Sequence, residues 1–368
     1  MATPPKRIGL VRRGYSATGG AERYLMRFAH TATAQGLDCH LFTSDAWPRK
    51  NDPFVHIHRL PDAGPRAFAD ALQQADPRQH CDVLLSLERV WDCDFYRAGD
   101  GVHRAWLERK ARVSNPVSTL FRNASAKHQE ILDLEKHLFS PESPIQIIAN
   151  SEMVKHEIIQ HYGKTPSQIH VIYNGYQKAE LSDFDREEFR QRLGLTSRDV
   201  AILFVGSGWE RKGLRYAIQA VNELEAENAR LFVAGKGKQV GLPSGPVTYL
   251  GPVDDPPPFY ESADIFLLPT LYDPFSNACL EAAAHGLPVI TTTSNGFAEA
   301  FVHGKHGEVV DQPWRKKELS ACLARWMDPE RRAESRELIR KNGQALSLKA
   351  NVDATLQLMT ASASQELA

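Results

Sequence analysis

Two carboxylates eight residues apart frame the segment Tyr272-Asp273-Pro274-Phe275-Ser276-Asn277-Ala278-Cys279-Leu280-Glu281, which runs on to Gly286-Leu287-Pro288-Val289-Ile290. Asp273 and Pro274 close a loop after the apolar run Ile265–Leu268, and residues 276–285 can then run as a helix whose first amides lack partners inside it. Around Phe275, Ser276 and Asn277 such amides favour anions and polar oxygens. Glu281, about two turns beyond Asp273, can project into the same crevice and accept two vicinal hydroxyls as a ribose presents them, with Asp273 nearer the sugar. The same letters also serve a plain turn, since Asp before Pro is common turn chemistry and a Glu early in a helix complements its macrodipole. Neither carboxylate needs a metal.

Three glycine loops could face a phosphorylated ligand. In Val205-Gly206-Ser207-Gly208-Trp209-Glu210-Arg211-Lys212-Gly213 the glycines permit a tight turn between a strand and a helix, and Arg211 and Lys212 can neutralise a diphosphate. A solvated basic pair beside a turn is the alternative. Gly19-Gly20, ahead of Ala21-Glu22-Arg23, would let the backbone approach a phosphate or sugar. The loop from Gly14 to Gly20 lacks a full Gly-x-Gly-x-x-Gly fingerprint and a closing acid, so a nicotinamide cofactor is disfavoured. Gly235-Lys236-Gly237 and Asn295-Gly296-Phe297-Ala298-Glu299 are smaller signals of the same kind, and each is also compatible with a simple turn.

The segment Asp92 to His103 follows the strand Val83–Ser86, at the strand end where α/β proteins hold ligands. Asp100, between Gly99 and Gly101, would stand exposed at a tight turn and could orient, or take a proton from, an acceptor hydroxyl. Asp-Gly turn chemistry explains the same letters. From His103 to Lys127 the cations Arg104, Arg109, Lys110, Arg112, Arg122 and Lys127 face only Glu108, with Trp106, Leu107, Leu120 and Phe121 between them. Such a stretch suits an anionic membrane surface or a phosphorylated acceptor, His103, Arg104, Trp106, Arg109, Lys110 and Arg112 being its candidates.

These residues need a scaffold, and the pattern of the chain supplies one. At 368 residues the chain exceeds what one core usually organises. Short apolar runs at Ile8–Val11, Cys39–Thr43, Val83–Ser86 and Ile145–Ala149 alternate with helical stretches such as Ala21–Gln35 and Ala126–Phe139. The alternation restarts at Val200–Val205 and continues through Arg230–Ala234, Val247–Leu250, Ile265–Leu268 and Val289–Thr291. This is the pattern of α/β proteins with buried parallel strands. Two Rossmann-like domains facing each other across a cleft are expected, 1–170 and 171–345, with breakers near Gly163, Pro166 and Asn174-Gly175.

Composition narrows the partners. The 44 Lys and Arg balance 45 Asp and Glu, so nothing in the global charge argues for nucleic acid. The five cysteines, at 39, 81, 93, 279 and 322, are scattered and fit buried thiols in a reducing compartment better than a disulfide framework or zinc ligands. No apolar run approaches the roughly 20 residues that span a bilayer, and the N-terminus lacks the apolar core of a signal peptide. A cytoplasmic protein, peripheral at most on a membrane, is expected.

The pair Asp273 and Glu281 with Gly286-Leu287-Pro288-Val289 resembles the Glu-x7-Glu signature of retaining glycosyltransferases of the GT-B fold, family four, with Asp in place of the first Glu. The Arg211-Lys212-Gly213 loop, Gly19-Gly20 before a charged helix, and Asp94-Phe95-Tyr96-x-Ala98-x-Asp100 together resemble the lipopolysaccharide core heptose glucosyltransferase I group over most of the chain. The resemblance implies a GT-B fold whose last helix, from 346 onward, crosses back to the first domain. It implies a nucleotide-sugar donor, UDP-glucose, held by Gly19, Gly20, Gly206, Arg211, Lys212, Gly235, Asp273, Phe275, Ser276, Asn277 and Glu281. No cofactor or metal is implied, since Arg211 and Lys212 take the metal's place on the diphosphate. The implied activity moves glucose with retention onto a lipid-linked saccharide of the lipopolysaccharide core at the inner face of the inner membrane. Asp100, Arg211, Lys212 and Asp273 would be its catalytic residues. UDP-GalNAc, UDP-GlcNAc or GDP-mannose as donor, an epimerase or hydrolase of the same fold, and a non-catalytic nucleotide-sugar sensor are the rival readings.

Overall fold

The computed structural model describes residues 6–15, 20–44, 47, 53–114, 125–179, 181–182 and 184–365. They divide into two compact units, the first made of Met1–Tyr173 with Lys349–Ala368 and the second of Asn174–Leu348.

In the first unit seven strands form one parallel sheet in the order β3-β2-β1-β4-β5-β6-β7. These are Arg7–Val11, Asp38–Thr43, His56–Arg59, Val83–Ser86, Phe95–Ala98, Gln146–Ala149 and Ile169–Val171, numbered β1 to β7 along the chain. Central strands are apolar throughout because helices cover both faces of such a sheet. Ile8, Leu10 and Val11 of β1 and Val83, Leu84 and Leu85 of β4 are all buried. Ile8 pairs with Cys39 on one side and Val83 on the other, so the strand order reverses between β1 and β4. β3, β5 and β7 were not legible as apolar runs. The first alternates histidines at the sheet edge, the second lies inside the polar segment Asp92 to His103, and the third has only three residues. The long helix Leu348–Gln365 packs in this unit, where Asn351 Nδ2 donates to the carbonyl of Tyr173.

The second unit repeats the plan with six parallel strands in the order β10-β9-β8-β11-β12-β13. They are β8 (Val200–Val205), β9 (Ala229–Ala234), β10 (Val247–Gly251), β11 (Ile265–Leu268), β12 (Val289–Thr292) and β13 (Gly307–Val310). Here the order reverses between β8 and β11, which pair through Ile202 and Ile265. Helix termini follow their capping residues. Asn277–Ala284 starts on Ser276, whose Oγ accepts from Cys279 N, and stops at Gly286, φ 80°. Gly286 N then bonds Ala283 O at 2.8 Å and Leu287 N bonds Ala282 O at 3.0 Å, a Schellman closure. No helix among the described residues is long and apolar enough to cross a membrane, and all five cysteines are buried and unbridged.

Four imidazoles gather at the outer edge of the first sheet. His40 Nδ1 lies 3.1 Å from His58 Nε2, and the rings of His56 and His80 are each 4.4 Å from that of His58. The ring of Phe42 stacks on His58 at 4.4 Å. Burial first, then the neighbouring imidazoles, push His58 down to about 4. Its unfolded value is about 6.5, so the unfolded chain binds the proton first on acidification. Stability present above about pH 6.5 is therefore lost as pH falls towards 4. Urea midpoints at pH 7 and pH 4.5 should separate less in His58→Gln than in the wild type; equal separations would refute this assignment.

Candidate functional site

In doubly wound sheets ligands bind beyond the carboxyl ends of the strands, where the strand order reverses. In the second unit the chain leaves β8 through Gly206-Ser207-Gly208, makes one helical turn at Trp209–Lys212, and restarts as the helix Leu214–Glu223. Gly213 joins the two at φ 77°, and a Cβ there would lie 1.9 Å from the carbonyl oxygen of Pro269. Only glycine lets this turn close on the loop after β11. The contact docks Arg211, whose carbonyl accepts from Leu271 N and from Thr270 Oγ1, both at 2.8 Å. The Arg211 guanidinium donates to Tyr272 O at 3.0 Å, which uses one of its five donors. Next to it Lys212 Nζ forms an ion pair with Asp273 Oδ2, the two side chains being 12% and 7% exposed.

The loop after β9 fits the same glycine turn. Gly235, at φ 122°, stands so close that a Cβ would lie 2.2 Å from Gly206 O. Gly208 N donates to Lys236 O at 3.1 Å and Lys236 N to Ser207 Oγ at 3.2 Å. Gly206 and Gly235 are thus joined in one backbone cradle, walled by Trp209 with Tyr249 5.5 Å away.

The carboxylate segment is pinned by Asn295. Its Oδ1 accepts from Ser276 N at 3.2 Å and Phe297 N at 3.1 Å, and Asp273 N and O bond Ser294 O and Gly296 N. The loop Asn295–Glu299, which the sequence left open as a turn, is therefore the brace of Asp273. Phe275 is buried, its ring packed edge-on against Phe297 at 5.6 Å, so what it offers a ligand is its backbone. Asn277 is exposed and its Oδ1 accepts from Asn174 Nδ2 at 2.8 Å. Glu281 Oε2 accepts from Tyr260 OH at 2.9 Å, a bond that no motif announced. Tyr260 is 21 residues away in sequence and reads as core.

Behind Glu281 lies a buried polar group. The rings of Tyr260 and His285 stack at 5.5 Å, and His285 Nδ1 is 2.8 Å from Glu261 Oε1. Burial raises the Glu261 carboxyl, but the hydrogen bonds from His285 and from Lys178, at 2.6 Å, outweigh it and bring it down to about 2.

The reversal point of the first sheet carries charges too. Arg12, just beyond β1, pairs with Glu88, just beyond β4, at 2.6 Å and with Glu22 at 3.0 Å. Burial raises the Glu88 carboxyl against the pull of Arg12. Gly20 opens the helix Gly20–Ala34, while Gly19 lies outside the described residues. Asp100 is exposed on a turn closed by Gly101 N to Ala98 O at 3.0 Å, with Gly101 at φ 68°. Arg89 steadies that turn, donating to Gly101 O at 2.9 Å while it pairs with Glu135 at 2.8 Å.

Glu135 organises the basic helix His103–Arg112. That helix has no side-chain N-cap of its own. The wholly buried Glu135 carboxylate supplies one, accepting from His103 N at 2.6 Å, Arg104 N at 3.3 Å and Tyr162 OH at 2.8 Å. A negative charge there also suits the helix macrodipole. The His103 ring faces His128 at 2.9 Å and is pushed down to about 4, by burial first and then by Arg89, so it adds no charge at neutral pH. Arg109 is committed to Glu157 at 2.6 Å and Arg104 sits 3.6 Å from Glu108. Lys110 lies over Trp106 at 5.5 Å, and Arg112 is exposed. Leu120, Phe121 and Arg122 lie outside the described residues.

The chain is similar to known glycosyltransferases in sequence and in fold. Residues 199–328 match the family Glycosyl transferases group 1. Over 331 residues the chain is 24% identical to the lipopolysaccharide glucosyltransferase WaaG of Escherichia coli K12, covering 84% of this chain and 86% of that one. It is 25% identical over 365 residues to a D-inositol 3-phosphate glycosyltransferase of Mycobacterium sp. KMS, covering 84% and 80%. With an uncharacterized glycosyltransferase of Methanocaldococcus jannaschii it shares 34% over 179 residues, 44% of this chain and 46% of the relative, so that match spans under half of the relative's length. The crystal structure of WaaG superposes with a TM-score of 0.80 at 20% identity, over 96% of this chain and 99% of that one. Anabaena HepE in complex with UDP and glucose gives 0.71 at 16%, over 97% and 100%.

Two parallel-sheet Rossmann-like domains that superpose on the WaaG structure in this way have the GT-B fold. Among its kin this chain is related to WaaG.

Removing the Glu135 carboxylate leaves Arg89 without its buried partner and the amides of His103 and Arg104 unsatisfied. Glu135→Ala should cost about 3–5 kcal/mol, the usual penalty for breaking a buried pair. Urea unfolding followed by circular dichroism reads it; a loss within experimental error would show that water replaces the carboxylate.

Proposed function

We propose that the protein is a retaining, metal-independent hexosyltransferase that moves glucose from UDP-glucose onto a lipid-linked saccharide of the lipopolysaccharide core. The observation that carries this reading is the Lys212–Asp273 pair with Arg211 alongside, at the strand-order reversal of the second sheet. Two cations and a carboxylate held side by side match a ligand that joins a diphosphate to a polyhydroxylated ring. The relatedness to the glucosyltransferase WaaG and the fold shared with the UDP and glucose complex of HepE support the donor class.

In this reading the acceptor hydroxyl oxygen attacks C1 of the donor on the face the diphosphate leaves. The C1–O bond to phosphate breaks, the new C1–O bond forms, and the hydroxyl proton passes to a phosphate oxygen. Arg211 and Lys212 stabilise the charge that grows on the departing diphosphate, and Asp273 fixes the sugar. Glu281 takes the ribose hydroxyls, and the Gly206 and Gly235 cradle admits the nucleotide backbone closely. Asp100, exposed on a turn that Arg89 braces, orients the acceptor hydroxyl.

Purified protein should release UDP from UDP-glucose only when truncated lipopolysaccharide core is present, and should do so in EDTA. Lys212→Ala should lower kcat about 10²–10³-fold, as for loss of one preorganised charge-stabilising group. Glu281→Ala should act mainly on the donor KM. UDP release without acceptor would favour an epimerase or hydrolase, and activity abolished by EDTA would sink the metal-independent mechanism.

The acceptor is lipid-linked, and the reading places the protein on the cytoplasmic face of the inner membrane through the helix His103–Arg112. Arg104, Lys110, Arg112 and Trp106 are its docking residues, while Arg109 is drawn onto the buried carboxylate of Glu157. Each cation near anionic headgroups contributes about 1 kcal/mol. Vesicles containing anionic lipid should retain the wild type at low salt and release the triple variant Arg104→Glu, Lys110→Glu, Arg112→Glu. Equal retention of both would remove this helix from the docking surface.

A further inference from the structure

Tyr260 has no part in the reading above, yet its hydroxyl bonds the carboxylate on which donor recognition turns. The bond to Glu281 Oε2 is 2.9 Å long, and the tyrosine is fully buried. Its ring lies nearly parallel to the His285 imidazole, 21° between planes at 5.5 Å. His285 is fully buried as well, with Nδ1 against Glu261 and Nε2 3.3 Å from Tyr176 OH. With a carboxylate at Nδ1 the ring proton belongs there, so Nε2 accepts from the Tyr176 hydroxyl. Glu261 is held in turn by Lys178 at 2.6 Å and Arg336 at 3.3 Å. A phenol, an imidazole and a carboxylate are thus locked in series behind Glu281.

A free glutamate side chain loses rotamer freedom when a ligand fixes it. One already held binds without that loss. Burial, and then the neighbouring Glu281 charge, keep the Tyr260 phenol protonated and therefore a donor. Resting on the donor site described above, we propose that Tyr260, backed by His285 and Glu261, is a positioning residue. It holds the Glu281 carboxylate for the two ribose hydroxyls of the donor nucleotide, and so sets a preference for ribonucleotides over 2′-deoxyribonucleotides.

Calorimetric affinities of the full chain for UDP, GDP and their 2′-deoxy forms test this. The wild type should hold the ribo form of its nucleotide more tightly than the deoxy form. Tyr260→Phe should weaken the ribo form about tenfold, the worth of one hydrogen bond to a charged group. The deoxy form, which offers the carboxylate only its 3′-hydroxyl, should lose less, and an unchanged circular dichroism spectrum reports that the variant is folded. In turnover the same variant should raise the donor KM at constant kcat. Glu281→Asp withdraws the carboxylate from both the phenol and the ribose, and should abolish the preference. Equal losses for ribo and deoxy forms, no loss for either, or an undiminished preference in Glu281→Asp would overturn the inference. A wild type that binds neither UDP nor GDP would overturn the donor-site reading itself.

Discussion

Lys212 and Asp273 come from loops that follow different strands, and their ion pair can form only because β8 and β11 lie side by side where the strand order reverses. Both charges are mostly withdrawn from water, so desolvation cancels much of their attraction, and the pair is better understood as a device for placing charge than as a source of stability. The rest of the second unit's site depends on that placement. Gly213 lets the one-turn helix meet the Pro269 carbonyl, Arg211 is stapled to Thr270 and Leu271, and Asn295 braces the backbone that carries Asp273. Loss of any of these contacts would move the ammonium or the carboxylate by a distance that matters to electrostatic preorganisation.

The first unit uses the same topology with other chemistry. Its reversal point is also bridged by charge, Arg12 from the end of β1 and Glu88 from the end of β4. Buried and half-buried carboxylates recur as anchors for neighbouring helices. Glu135 caps the basic helix and holds Arg89, Glu261 holds His285 and Lys178, and Glu308 accepts from Arg325 Nε at 3.0 Å and Trp326 Nε1 at 3.2 Å. In each case several donors converge on one carboxylate, which is how a buried charge becomes tolerable. Such clusters fix orientation, because hydrogen bonds are directional where apolar packing is not.

Much of the scaffold was legible along the chain. Buried parallel strands need unbroken apolar runs, so Ile8–Val11, Val83–Ser86, Val200–Val205 and Ile265–Leu268 stand out without any structure. Ser276 and Gly286 mark the ends of one helix because capping is local chemistry. β5 was hidden because Phe95–Ala98 carries an arginine and a tyrosine within a polar segment. The histidine strand β3 escaped notice because an edge strand needs no continuous apolar run. Of the residues read as site candidates, Arg211, Lys212, Asp273, Gly206 and Gly235 are brought together in one place. Phe275 is turned into the core, and Arg109 is drawn into an ion pair with Glu157.

By itself the sequence determined what depends on neighbours along the chain: the alternation of strand and helix, the glycine turns, the helix caps, and the chemical types at hand for binding a diphosphate and a sugar. Only the tertiary structure decided which of those groups meet. Tyr260 with Glu281, Glu135 with His103, Arg12 with Glu88 and Asn295 with Ser276 are pairs whose members lie between 19 and 76 residues apart, with ordinary letters at every position. The physical reason is that a carboxylate, phenol or amide takes its role from the partner that desolvation forces it to find. That partner is chosen by strand order and packing, which no local spacing encodes.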